Sequence, residues 1–173
     1  THQSPININN TLGHSPSKIL TNFSPTPIRI INNGHTIHLS YEPGSYINWK
    51  NKRFELIQFH FHSPSEHLIK GKNYDMEMHL VYKTPDHQFL VIGVLMEKGK
   101  SNALIQKIWE KIPIDKNKEV YYEDYLFNVG NLLPSENNYF HYSGSLTTPP
   151  CSENVNWFIS QTPIEVSIDQ ILF

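Results

Sequence analysis

The stretch Phe54–His67, FELIQFHFHSPSEH, holds three histidines and two carboxylates within an aromatic and aliphatic run that reads as a β-strand. Side chains alternate along a strand, so Gln58, His60 and His62 share one face while Phe59 and Phe61 share the other. One face carries chemistry and the other is core. A catalytic zinc takes three neutral imidazoles or similar ligands and keeps one position open for water, and an HxH pair on one strand face supplies two of them. His79, in DMEMHLVY, is the candidate third ligand, because a neighbouring strand can set it opposite the pair. Gln58 and Glu77 each precede a histidine by two residues and share its face. From there a side-chain oxygen can accept the hydrogen bond of the ligand's second ring nitrogen, which fixes tautomer and ring orientation.

Histidines beside aromatic residues are common without any metal, and His2, His14, His67, His87 and His141 read as loop or surface residues. The segment HFHSPSE also fits the HxHxxxE spacing of cupins, in which Glu66 would ligate iron or manganese directly. Against that fit, no glycine stands six residues before His60, and no later glycine- and proline-containing block carries the remaining histidine.

Outward from this strand, 173 residues, 38% hydrophobic and 17% charged, suit one domain over residues 1–173 with a sizeable core. A net charge of −2 without a run of Lys or Arg lacks the footprint of a nucleic-acid binder. No apolar segment approaches the ~20 residues that span a bilayer. Cys151 is the only cysteine and cannot form an intrachain disulfide. Asn9-Asn10-Thr11 and Asn22-Phe23-Ser24 match the glycosylation sequon, a short pattern that arises often by chance. Twelve prolines and eight glycines punctuate many short apolar runs, which predicts a mainly β protein. PIRIINNGHTIHLSY is expected to form two strands joined by a tight turn at Asn33-Gly34, with His35 at its exit. YDMEMHLVYK and QFLVIGVLMEKG supply two more strands. In SNALIQKIWEKIP, Leu104, Ile105, Ile108, Trp109 and Ile112 recur at helical spacing between a Ser101 or Asn102 cap and Pro113, which predicts a helix packed on the sheet. Ser167 and Gln170 form a capping-box pattern that opens a last helix, one expected to run on past Phe173.

The blocks QSPINI, NNGH, QFHFHSPSEH, EMHLVY, VIGV and YSGSLTTPPCSENVNW, in this order, span nearly the whole chain, and with them it resembles the α-class carbonic anhydrases, especially the compact bacterial ones. The resemblance implies a large, twisted, mostly antiparallel central sheet with a few short helices, and cis peptides at Ser4-Pro5 and Pro149-Pro150. It implies a Zn2+ lyase that reversibly hydrates carbon dioxide to bicarbonate and a proton by zinc-bound hydroxide, and that sulfonamides or anions inhibit. His60, His62 and His79 would hold the metal, with Gln58 and Glu77 supporting them. Glu66 would accept a hydrogen bond from Thr147, which orients the hydroxide. Val81, Val91, Leu146, Val155 and Trp157 would form the apolar wall for carbon dioxide, although by themselves all five read as core. His35 would shuttle protons, and Asn33, His38 and Thr148 would line the solvent network. A carbonic-anhydrase-like binding protein without turnover is the alternative, but such relatives lose zinc histidines and this chain keeps all three.

Measured against the family pattern, an N-terminal segment and a C-terminal part are lacking. The expectation is therefore either a piece of a longer protein or a chain that associates, as a homodimer, to cover the gap. In bacterial members a cysteine of the N-terminal segment pairs with the one matching Cys151, which implies a periplasmic or secreted protein.

Overall fold

The computed structural model describes residues 1–9 and 19–173, so His14 and most of the first sequon lie outside the described residues. The strands are β1 (Asn7–Ile8), β2 (Leu20–Asn22), β3 (Thr26–Asn32), β4 (Ile37–Ser40), β5 (Tyr46–Trp49), β6 (Lys52–His62), β7 (Leu68–Ile69), β8 (Lys72–Asn73), β9 (Met76–Lys83), β10 (Phe89–Lys98), β11 (Glu119–Phe127), β12 (Tyr139–Ser145), β13 (Glu153–Ser160) and β14 (Ile164–Val166). Helices α1 (Ala103–Trp109) and α2 (Ile168–Ile171) and a 3-10 turn at Val129–Leu132 complete the regular structure.

One large sheet runs in the order β11-β3-β4-β6-β9-β10-β13-β12, with β14 added to β10 and β5 joining β6 to β2. Among the described residues, only its β10–β13 and β10–β14 pairings are parallel. A small sheet of β1, β7 and β8 holds the N-terminal residues against the segment after β6. The expected architecture, a mostly antiparallel sheet with few helices, is therefore the one observed.

Alternation along β9 and β10 divides the interior in two. Met76, Met78, Leu80, Tyr82, Leu90, Ile92, Val94 and Met96 face a large core that α1 covers with Ile105, Ile108 and Trp109. Val81, Val91 and Leu95 face a smaller cluster with Val155, Trp157 and Ile159. The central strand β6 changes allegiance partway. Phe54 and Leu56 point into the large core, and so do Phe59 and Phe61. Such a change of parity requires one extra residue, and the register with β9 slips between Leu56 and Gln58, leaving Ile57 as a bulge. The bulge turns Gln58, His60 and His62 to the small-cluster side while the phenylalanines stay in the core.

Two local expectations are refined. The β3–β4 connection is the four-residue loop 33–36, in which Gly34 takes φ +85 but Asn33 does not take the positive φ of a two-residue turn. The Asn33 side chain instead accepts from the His35 and Thr36 N–H groups at 2.9 and 2.7 Å. Helix α1 starts at an Asn102 cap that accepts from Leu104 and Ile105 N–H, and it ends four residues before Pro113. The capping box at Ser167 and Gln170 forms as expected. Ser4-Pro5 and Pro149-Pro150 are cis, as is Ser63-Pro64.

Candidate metal centre

In the β6–β9 register, His60 stands directly opposite His79 and His62 opposite Glu77. The three imidazoles converge: ring centroids lie 4.9 Å apart for His60–His62, 5.2 Å for His60–His79 and 4.7 Å for His62–His79. One nitrogen from each ring falls within 4.8 Å of the others. His60 Nδ1–H donates to Gln58 Oε1 at 2.8 Å, and His79 Nε2–H donates to Glu77 Oε2. Those bonds leave Nε2 of His60 and Nδ1 of His79 as lone-pair donors. His62 Nε2 is buried without a hydrogen-bond partner among the described residues. Glu66 Oε1 is 2.8 Å from it, but off the direction of a ring N–H. Two imidazoles of set tautomer and one orphaned ring nitrogen, aimed at one point, fit a tetrahedral metal with three protein ligands and an open position.

Burial first, then the neighbouring imidazoles His79, His62 and His38, lowers the pKa of His60 to about 2. Burial also lowers that of His79. His60 and His79 are thus neutral at physiological pH, as metal ligation demands. Burial alone would raise Glu77, but His79 and His67 hold its carboxyl far below the usual range, so it is an anion. Glu66 is likewise held down, against the pull of burial, by His62 and Thr147.

Thr147 Oγ1 donates to Glu66 Oε1 at 3.2 Å. Beside the trio lies a cavity of about 160 Å³, lined by His60, His79, Val81, Val91, Leu146, Thr147, Thr148 and Trp157, with Ile57 and Phe89 completing its apolar wall. Val155 is not on that wall: it is fully buried behind it, packed with Trp157. His35 is exposed, and it lines a second cavity shared with His62 and Asn32 rather than the apolar one. Asn33 is exposed in the same loop. His38, expected beside solvent, stacks parallel to His60 at 6.3 Å, and burial lowers its pKa. Cys151 is a free thiol, partly exposed, with φ +57.

His67 lies in the loop between β6 and β7, as one arm of its reading had it, but it is not a surface residue. It is fully buried, its backbone N–H donates to Glu77 Oε1 at 2.9 Å, and its Nδ1–H donates to Glu77 Oε2 at 2.8 Å. The cluster His67, Glu77 and His79 has metal-ligand composition, but both Glu77 oxygens already accept from His67 and His79, and it is a support for His79. Gly93, paired with His79 in register, was also unread. A Cβ there would come 2.7 Å from Ile159 Cδ1, so the missing side chain makes room for Ile159 beside the Glu77 carboxylate.

A sheet that presents three histidines able to hold a metal ion beside an apolar cavity is the architecture of the carbonic anhydrase fold. The family model for eukaryotic-type carbonic anhydrases matches residues 1–172, and the chain belongs to that family. It is 45% identical over 160 residues to a carbonic anhydrase of Nostoc sp., an alignment covering 91% of this chain and 61% of that protein. The chain thus spans about three fifths of that relative's length. A hyperthermostable carbonic anhydrase from an active hydrothermal vent chimney superposes with a TM-score of 0.94 at 48% identity, covering 99% of this chain and 76% of that one. The Thermovibrio ammonificans α-carbonic anhydrase, solved with the inhibitor sulfanilamide, gives 0.93 at 36% identity over 99% and 76% of the two chains.

Proposed function

We propose that this chain reversibly hydrates carbon dioxide to bicarbonate and a proton, with zinc held by His60, His62 and His79. The observation that carries the reading is the convergence of three imidazoles on one point at the rim of an apolar cavity. Zinc bound there would supply a water acidified from a pKa of about 15.7 to about 7, the value known for carbonic anhydrases as a class, and hence a nucleophile near neutral pH.

The chain's own groups do the rest. Gln58 and Glu77 hold two ligand rings in the tautomer that offers a lone pair. The Thr147 hydroxyl, committed as a donor to Glu66, offers only lone pairs to the site. A nucleophilic O–H must therefore point its hydrogen at Thr147 and its own lone pair toward the cavity. Carbon dioxide is small and apolar, so Val81, Val91, Leu146 and Trp157 can admit it without a polar grip, and Thr148 stands at the same cavity. His35, exposed near His62, is the chain's imidazole for passing the released proton to buffer. Sulfonamides, as in the Thermovibrio complex, are the inhibitor class expected to compete at the centre.

The test is zinc content by mass spectrometry with stopped-flow hydration, with and without sulfanilamide. One zinc per chain and sulfanilamide-sensitive hydration support the reading. A zinc-loaded chain that hydrates carbon dioxide no faster than buffer would falsify it and leave a metal-binding protein of the same fold.

A further inference from the structure

Phe89 lines two cavities. One is the apolar cavity at the metal centre, and the other, of about 670 Å³, opens between the β9–β10 turn and the start of β13. That size lies within the range of about 300–1,000 Å³ typical of small-molecule sites. The lining of the second cavity is polar without any Lys or Arg: amides from Gln88, Asn154 and Asn156, two serine hydroxyls and a single carboxylate, Glu153. The carboxylate is already engaged, because the His2 N–H donates to its Oε1 at 2.5 Å. A register slip builds this wall. Strands β12 and β13 pair Gly144 with Val155 but Ser145 with Glu153, which leaves Asn154 as an extra residue with φ +64, a left-handed conformation that Asn tolerates. Plain alternation would turn Glu153 to the side of Val155, away from Asn154 and Asn156. The bulge instead lets all three polar residues line one cavity while Val155 stays in the small core cluster. The opposite wall is preset as well. Gln88 Oε1 accepts from Lys52 Nζ at 2.7 Å and the Gln88 backbone N–H donates to Thr84 Oγ1 at 2.9 Å. Of the two hydrogens on Gln88 Nε2, Asp86 Oδ2 takes one at 3.3 Å, which leaves the other to donate to a ligand.

Side-chain amides and hydroxyls both donate and accept, so this lining complements a neutral ligand dense in hydroxyl groups. A phosphate or carboxylate would meet Glu153 and no Lys or Arg. An apolar ligand would strip water from the amides and leave them unpaired. Phe89 adds an aromatic face on which the C–H groups of a sugar ring can rest. We propose that this cleft binds a neutral saccharide of disaccharide size, with Gln88, Asn154 and Asn156 reading its hydroxyls and Phe89 beneath a ring. Because Phe89 is also a wall of the cavity at the metal centre, the sugar stands against a residue that borders the path of carbon dioxide. The cleft needs no metal, and this inference stands or falls apart from the hydration reading.

Maltose and cellobiose, two neutral disaccharides, are the probes, titrated into the protein while its amide resonances are followed by NMR. At least one of them is expected to shift the side-chain NH2 signals of Gln88, Asn154 and Asn156 saturably, with half-saturation at about 1 mM. Asn154→Gly deletes one amide and suits the positive φ at that position, so the bulge survives. It is expected to raise the half-saturation concentration about 10-fold, the scale of one lost hydrogen bond to a ligand, while zinc content stays that of the parent. Gln88→Ala, on the opposite wall, should weaken binding in the same direction and serves if Asn154→Gly fails to fold. No saturable shift from either sugar at about fifty times the expected half-saturation overturns the proposal, and so does half-saturation unchanged in both variants. Saturable shifts from glycylglycine but from neither sugar would also overturn it and give the cleft to a zwitterion.

Discussion

At the residue scale, the Thr147–Glu66 pair shows how a hydrogen bond acts by its polarity. Glu66 is held as an anion and can only accept, so the threonine proton is committed and the direction of every further bond to Thr147 is set. Thr147→Val removes that control while leaving all three histidines. Zinc content is expected to stay at one per chain while kcat/KM for hydration falls about 100-fold, the usual scale for losing one oriented polar group. An unchanged rate in stopped-flow assays would take Thr147 out of the mechanism. His62 is the residue on which the metal reading leans most, because its buried Nε2 has no aligned hydrogen-bond partner among the described residues and Glu66 Oε1, 2.8 Å away, lies off the direction of a ring N–H.

Among the elements, β6 matters most. Its bulge lets one strand feed Phe54, Leu56, Phe59 and Phe61 into the large core and still turn Gln58, His60 and His62 to the other side. Deleting Ile57 would put either the first pair of core residues or the histidines on the wrong face. The deletion is expected to abolish zinc retention, measured as metal content after gel filtration, whereas Ile57→Ala retains zinc. The helices depend on a different tie. Gln170 is buried, its Oε1 accepts from the N–H groups of Ser167 and Asn102 at 3.0 Å each, and its Nε2–H donates to Asn102 O at 2.8 Å. One amide thus caps α2 and holds the start of α1. Gln170→Ala strands buried backbone groups and should cost about 1–3 kcal/mol in urea unfolding.

For the whole molecule, the number of buried imidazoles predicts the pH dependence. His38, His60, His79 and His141 are all held below the ordinary value of 6.5, each first by burial. Below about pH 6.5 the unfolded chain therefore binds more protons than the folded one, and stability falls as pH falls. Glu66 and Glu77, also held low, push the same way below their ordinary 4.5. The metal-free protein is expected to be most stable above pH 6.5 and to lose urea midpoint between pH 8 and pH 5. His141→Phe, remote from the trio and seated between Trp49 and Phe158, should reduce that loss. A midpoint that rises on acidification would contradict the assignment.

The strands, the α1 cap, the capping box at Ser167 and the facing of Gln58, His60 and His62 were legible by themselves, because each depends on spacing within a few residues. Chain-wide motif order made the family legible as well. The sequence could not show that His67 is buried, that Gly93 clears space for Ile159, that Val155 lies behind the cavity wall or that Ile57 is a bulge. Each of these depends on which strands become neighbours and in what register. The Tyr142–His67 and Tyr142–Ser4 bonds join residues 75 and 138 positions apart. Local periodicity thus determined which residue types could serve the site, and only the packed sheet decided which of them meet, since strand pairing and burial belong to the whole fold.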